Sequence, residues 1–310
     1  AASDGAVRVN GDDGFIVTGT YGSGDAVEVS GLGTRMFFNP YKAAFRAGYV
    51  DGTVWDDVNI GDYSTAMGRE TSASGSYSTA MGEYTTASGD NSTAMGYDAV
   101  ASGIYSTAMG RSTTASGSHS TAMGRVTTAS GSHSTAMGYV TSAPSGYETA
   151  IGRYNTSYAP VSTTGWNAAD RLFVVGNGTN TGSLESDAMV ILKSGNVGIG
   201  TSSPNSKLHV NNPSTATGAH FRVQDAGNTR FCVANNGNTA LYFNDAPAYK
   251  LQLNVDDAAK PTSSAWTVAS DARLKTNVSP FSDGLNVLMA INPVWFRYNG
   301  KAGMPTDKRG

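Results

Sequence analysis

The chain has 310 residues, room for two or three ordinary domains, yet 38 are Gly and only 39% are hydrophobic, which excludes a set of densely packed globular cores. Charged residues make up 15%, too few for a solvated disordered chain, so a repetitive β architecture with little core per residue is expected. The net charge of −3 gives no basic footprint for nucleic acid and no polybasic membrane patch. A single Cys232 excludes an intrachain disulfide, and no apolar run approaches the ~20 residues of a membrane helix. The first residue is Ala1 rather than Met, as in a processed or excerpted chain.

Residues 1–59 read as a small β module. Short apolar runs, Gly14-Phe15-Ile16-Val17, Ala26-Val27-Glu28-Val29 and Thr34-Arg35-Met36-Phe37-Phe38, alternate with Gly and Asp turns. Behind them, Lys42 and Arg46 stand among aromatics. A cap is the expected role, since the first coil of a solenoid has an open face.

Residues 60–154 repeat. Met recurs at 67, 81, 95, 109, 123 and 137, and Ile151 continues the column at the same spacing of fourteen. Ala recurs at half that spacing from Ala66 to Ala150. Gly follows two residues after each Ala except at Pro144-Ser145-Gly146, where it comes one residue late. A coiled coil shares the period of seven, but a Gly in every heptad costs about 1 kcal/mol each in a helix. Short strands broken by Gly turns fit instead, stacked as a solenoid whose coils hydrogen-bond to each other.

Strand alternation leaves two assignments, Ala inside with Met outside or the reverse. Thirteen Ala without exception favour the first, as a size limit on a thin coil. The Met column is then an outer apolar ladder that sister subunits are expected to cover. A second column, Tyr63, Tyr77, Asn91, Tyr105, His119, His133 and Tyr147, would stack along the outside. It serves either as a strip for sugar or protein, or as a brace between coils. No Cys, Asp or Glu shares its register, so no metal is expected there.

The fourteen-residue Ala-x-Gly repeat resembles the YadA-type head of trimeric autotransporter adhesins, with Met where Ile or Val is commoner. The resemblance implies a left-handed parallel β-roll that associates as a homotrimer. Met67, Met81, Met95, Met109, Met123, Met137 and Ile151 would then lie at the trimer interface.

Residues 155–269 read as a linker, at 155–167, and a trimeric β-shaft. Its strands are "RLFVVGNG", "AMVILKSGNVGIGTSSP", "KLHV", "HFRVQ", "TRFCVAN", "ALYFN" and "YKLQLNV", each too short to stand alone. "GNVGIG" is not G-x-G-x-x-G, and Pro204 follows where a helix should begin, so no nucleotide cofactor is expected.

The stretch "SDARLKTNV", residues 270–278, resembles the opening of the endosialidase-type intramolecular chaperone at the C-terminus of phage tail spikes and fibres. The resemblance implies single-event self-cleavage at Ala269-Ser270. Ser270 would be the nucleophile and Lys275 the base, with Asp271 and Arg273 supporting them. A desolvated Lys can serve as that base at neutral pH. Ser282 can then cap a helix carrying Leu285, Leu288 and Met289 on one face, with Pro293 ending it.

The fold expected is all-β, an elongated homotrimer with a parallel β-roll, flanking β modules and a short C-terminal α/β segment at 270–310. The function expected is that of a structural and adhesive tail fibre of a phage or phage-like particle. Its partners would be other tail or baseplate proteins and a bacterial surface glycan or protein receptor, with no cofactor. A bacterial trimeric surface adhesin is the alternative. A glycan-degrading tail spike is a lesser one, because Asp56-Asp57 and Asp256-Asp257 are adjacent in sequence and would diverge on a strand.

Overall fold

A computed structural model of the chain describes residues 16–23, 30–180, 184–211, 219–225, 228–234 and 239–241. Each half of the repeat builds its own parallel sheet. The T-A-M-G half makes Thr65–Arg69, Thr79–Glu83, Thr93–Tyr97, Thr107–Arg111, Thr121–Arg125, Thr135–Tyr139 and Thr149–Arg153. The second half makes two-residue strands, from Ser72–Ala73 to Ser142–Ala143, in a six-stranded sheet. Like pairs with like on successive rungs: Ala108 with Ala122, Met109 with Met123, Gly110 with Gly124. A one-residue slip would turn every Met inward, so the constant period fixes the register.

The Ala columns of both halves, from Ala66 to Ala150, are fully buried. Met67, Met81, Met109 and Met123 face outward and are half-buried, while Met95 and Met137 are exposed. The corners of the coil are hydroxyl residues, Ser64 to Ser134 on one side and Thr71 to Thr141 on the other, and these too are buried. The interior is therefore filled by small side chains, and most of its cohesion is the backbone ladder.

Glycine is required here by contact. A Cβ on Gly103 would stand 2.0 Å from the carbonyl oxygen of Gly117 in the next coil. The same geometry accounts for the late glycine at 144–146. Ser145 holds this column's last rung, where the repeat ends. Its Oγ donates to Arg171 O and accepts from Lys193 Nζ, each 3.1 Å away.

A parallel stack leaves carbonyls orphaned at one end and N–H groups at the other. In the second sheet Ser72 N donates forward to Thr85 O, and the pattern repeats up the roll. Donor side chains meet the first coil. Arg46, fully buried, donates to Ser64 O and Ala73 O at 3.0 and 2.9 Å, and Trp55 Nε1 donates to Thr71 O at 2.7 Å. Acceptor side chains meet the last coil. Asn155 Oδ1 accepts Ser142 N at 2.8 Å while its Nδ2 donates to Ser142 O at 2.9 Å, imitating one more strand. Glu148 Oε2 accepts Ser145 N at 2.9 Å. Burial lowers the Arg46 guanidinium to about 10 and raises the Glu148 carboxyl above its ordinary value.

The long sheet continues past both ends of the repeat. The antiparallel hairpin Gly33–Asn39 and Ala44–Val50 joins Thr65–Arg69 in parallel. Arg171–Asn177 joins Thr149–Arg153 in parallel, and Asp187–Leu192, Val197–Ile199 and Leu208–Val210 follow, which makes a 13-stranded sheet. The stretch expected to be a linker carries no strand but is tied down. Tyr158 Oη donates to Glu148 Oε2 at 3.0 Å, and Asp170 accepts from Val161 N and Ser162 N at 2.7 and 3.0 Å. "GNVGIG" is a strand between turns at Gly195 and Gly200 (φ 80° and 68°).

A separate antiparallel sheet contains Ala219–Asp225, Asn228–Ala234 and Thr239–Leu241. The strand expected at 14–17 is absent over its described residues, where Ile16 and Val17 are exposed and outside any sheet. The strand expected at "YKLQLNV" and the helix expected after Ser282 lie outside the described residues.

Candidate assembly and attachment surfaces

Cross-strand partners share one face of a sheet, so the register defines columns. The column holding Met67, Met81, Met95, Met109, Met123, Met137 and Ile151 extends beyond the repeat in both directions. On one side Met67 pairs with Ala47 and Ala47 with Met36. On the other, Ile151 pairs with Val175, Val175 with Met189, Met189 with Ile199 and Ile199 with Val210. Every strand of the 13-stranded sheet thus contributes an apolar residue to one outward line. Met36 is 68% exposed in the single chain, and Met95, Met137 and Ile199 are exposed as well. The flanking residues carry no repeat, which is why sequence reading ended the line at Ile151.

Two further columns border this face. At the strand's entrance, Tyr63 stacks on Tyr77 at 4.8 Å. After Asn91 the stack resumes as Tyr105, His119, His133 and Tyr147, with centroids 4.9, 4.7 and 4.9 Å apart. Each inner ring has both faces against its neighbours, so only edges meet solvent. The His119 and His133 planes lie within 3° of parallel, and their in-plane lone pairs cannot converge on one ion.

At the strand's exit the column runs Arg69, Glu83, Tyr97, Arg111, Arg125, Tyr139, Arg153. Guanidinium groups sit over rings: Arg69 on Tyr84 at 5.4 Å, Arg111 on Tyr97 at 5.6 Å, Arg125 on Tyr139 at 5.1 Å. Sequence reading missed this column, although its fourteen-residue spacing was available as a signal. Asp56 and Asp57, weighed as paired carboxylates, serve separate loops: Asp56 accepts Gly31 N and Asp57 accepts Asn39 Nδ2, each at 2.9 Å. Ser270, Asp271, Arg273 and Lys275 lie outside the described residues.

Residues 60–85, 87–113 and 115–141 match the family described as YadA head domain repeat (2 copies). The roll is a run of YadA head repeats. Residues 270–310 match a second family, chaperone of endosialidase. No curated protein matches the chain. YadA head repeats imply trimeric assembly, and together the two matches make this an adhesin or tail-fibre kind of protein. Proteins of both kinds are extracellular or surface-exposed. Among the described residues no helix is long and apolar enough to cross a membrane.

Proposed function

We propose that the chain is the structural and adhesive tail fibre of a phage or phage-like particle, working as a homotrimer that attaches the particle to a bacterial surface. The supporting observation is the joint presence of YadA head repeats and a chaperone-of-endosialidase segment in one chain. The outward apolar column is the trimer seam. Covering it stabilises the assembly at about 25 cal/mol per Å2 of apolar surface removed from water. Residues 1–59 cap the roll of 60–154, residues 155–269 form the linker and shaft, and residues 270–310 begin the chaperone that helps three chains find one register. Ser270 and Lys275, supported by Asp271 and Arg273, carry out one self-cleavage at Ala269-Ser270. The exposed Tyr and His column and a surface glycan or protein receptor belong to the attachment step.

A second reading, a bacterial trimeric surface adhesin, is favoured by the head repeats alone. Immunogold electron microscopy of lysates from the producing culture separates the two. Label on particle tails supports the fibre reading, and label confined to cell envelopes overturns it. Met109→Asp/Met123→Asp should turn the trimer into monomers in sedimentation while the backbone ladder persists. An unchanged sedimentation coefficient would remove the seam.

A further inference from the structure

We infer that the Arg and Tyr column at the strand exits is a binding ladder for an anionic, carboxylate-bearing surface polysaccharide. The inference deepens the attachment reading above and rests on it.

Arg111 and Arg125 are register partners on adjacent parallel strands. Like charges placed opposite each other cost stability, and rungs are only about 4.8 Å apart. Among the described residues neither Arg111 nor Arg125 joins an ion pair, and both are exposed. The contrast with the first rungs is direct. There Arg69 and Glu83 neutralise each other at 3.1 Å. The nearest register neighbours of the arginine pair are Tyr97 and Tyr139, and Arg153 follows Tyr139. Asp98, close by, accepts from Ser112 Oγ at 3.2 Å rather than from an arginine.

The rings hold the guanidinium groups in place. Arg111 over Tyr97, Arg125 over Tyr139 and Arg153 over Tyr154, at 5.6, 5.1 and 5.5 Å, keep the planar forks ordered before any partner arrives. An ordered fork suits carboxylate, which it can bind through two parallel hydrogen bonds. The rungs repeat along a line, so the matching partner is a polymer with regularly spaced acid groups rather than a single small anion. Tyr edges between the cations suit the apolar faces and hydroxyls of sugar rings. The column lies two residues from the Met column on the same outward face, at the margin where each strand turns away.

The test is surface plasmon resonance with the full-length trimer over immobilised polygalacturonate, neutral dextran and duplex DNA. Polygalacturonate should be retained best, and binding should weaken as salt rises from about 0.05 to 0.5 M. Arg111→Gln/Arg125→Gln should weaken it at least about tenfold, as the loss of charge-assisted hydrogen bonds implies. Arg125→Gln alone should lose less, and Arg69→Gln, which removes an already neutralised cation, should change little. Equal retention on dextran, tighter retention on duplex DNA, or an unaffected double variant would each overturn the ladder. Sedimentation of the same samples keeps the two readings apart. A trimer that binds intact bacteria but not polygalacturonate sinks the ladder alone, whereas a trimer that binds no bacterial surface sinks attachment itself.

Discussion

Arg46 Nη2 donates to Ala73 O at 2.9 Å, so a buried cation closes the open carbonyl end of the first coil. The same guanidinium reaches Ser64 O at 3.0 Å and Ser64 Oγ at 2.8 Å. It stands in register with Ala66, the first alanine of its column, and so plugs the end of a column that from Ala66 to Ala150 holds only methyl groups. Arg46→Met keeps the volume and removes the donors. It should cost roughly 2–3 kcal/mol, because hydrogen bonds from a charged donor to Ser64 O and Ala73 O are lost, leaving those carbonyls only Phe45 N and Gly61 N. Hydrogen exchange should report the loss first in residues 60–75, and uniform protection in the variant would refute the plug.

Gly103 and Gly52 should respond oppositely to alanine. A Cβ at Gly103 would sit 2.0 Å from a backbone oxygen, which cannot swing aside without breaking the ladder, whereas Gly52 has nothing within 4 Å. Gly103→Ala should destabilise the roll by about 3 kcal/mol. Gly52→Ala should stay within about 0.5 kcal/mol. Thermal melts followed by circular dichroism compare the two directly.

The repeat itself was legible because alternation, period and size limit all act on the same residues. Ala66 to Ala150 had to be small and Met67 to Ile151 had to face away. The caps were less legible, since Arg46, Glu148 and Asn155 each occur once and no period marks them. Glu148 lies fourteen residues after Ser134 and Asn155 fourteen after Thr141, so each substitution signals the end of its column. The line from Met36 to Val210 was hidden for another reason. Outside the repeat, spacing says nothing about register, and only the strand pairings connect Met189 to Val175.

A further feature absent from pattern reading is the left-handed backbone at every seventh residue. Tyr63, Glu70, Tyr77 and their successors all have positive φ, and Val126 and Val140 adopt it at 56° and 52°. A β-branched residue is strained there, while Asn tolerates that region. Val126→Asn should therefore raise stability by about 1 kcal/mol. A lower melting temperature would mean that the exposed valine does more in the assembled fibre than its backbone costs.

The proposed scission at Ala269-Ser270 has a direct readout in denaturing mass spectrometry of the expressed gene product. A fragment beginning at Ser270 should be present in the natural sequence, vanish in Ser270→Ala and be strongly reduced in Lys275→Met, which removes the base. A single intact species in the natural sequence would eliminate the reaction.

Glu148 gives the roll a pH dependence whose sign follows from its burial. Desolvation holds its carboxyl above the ordinary 4.5, against hydrogen bonds from Ser145 and Tyr158 and the charge of Arg171. The folded chain thus binds this proton more tightly than the unfolded chain does. Its contribution to stability is fully present below about 4.5 and is lost as pH rises through the raised folded value. Glu148→Gln keeps an acceptor for Ser145 N and Tyr158 Oη but cannot ionise. The variant should match the natural protein near pH 4 and be the more stable of the two at neutral pH. Lys193, displaced downward by burial, is held up in part by the charges of Asp170 and Glu148, so Glu148→Gln lowers it further and the comparison reports the two groups together. Urea melts at pH 4 and pH 7.5 decide it. If the gap between the two proteins closes or reverses toward neutral pH, Glu148 is held as a fully compensated anion and the acceptor cap draws its strength from charge.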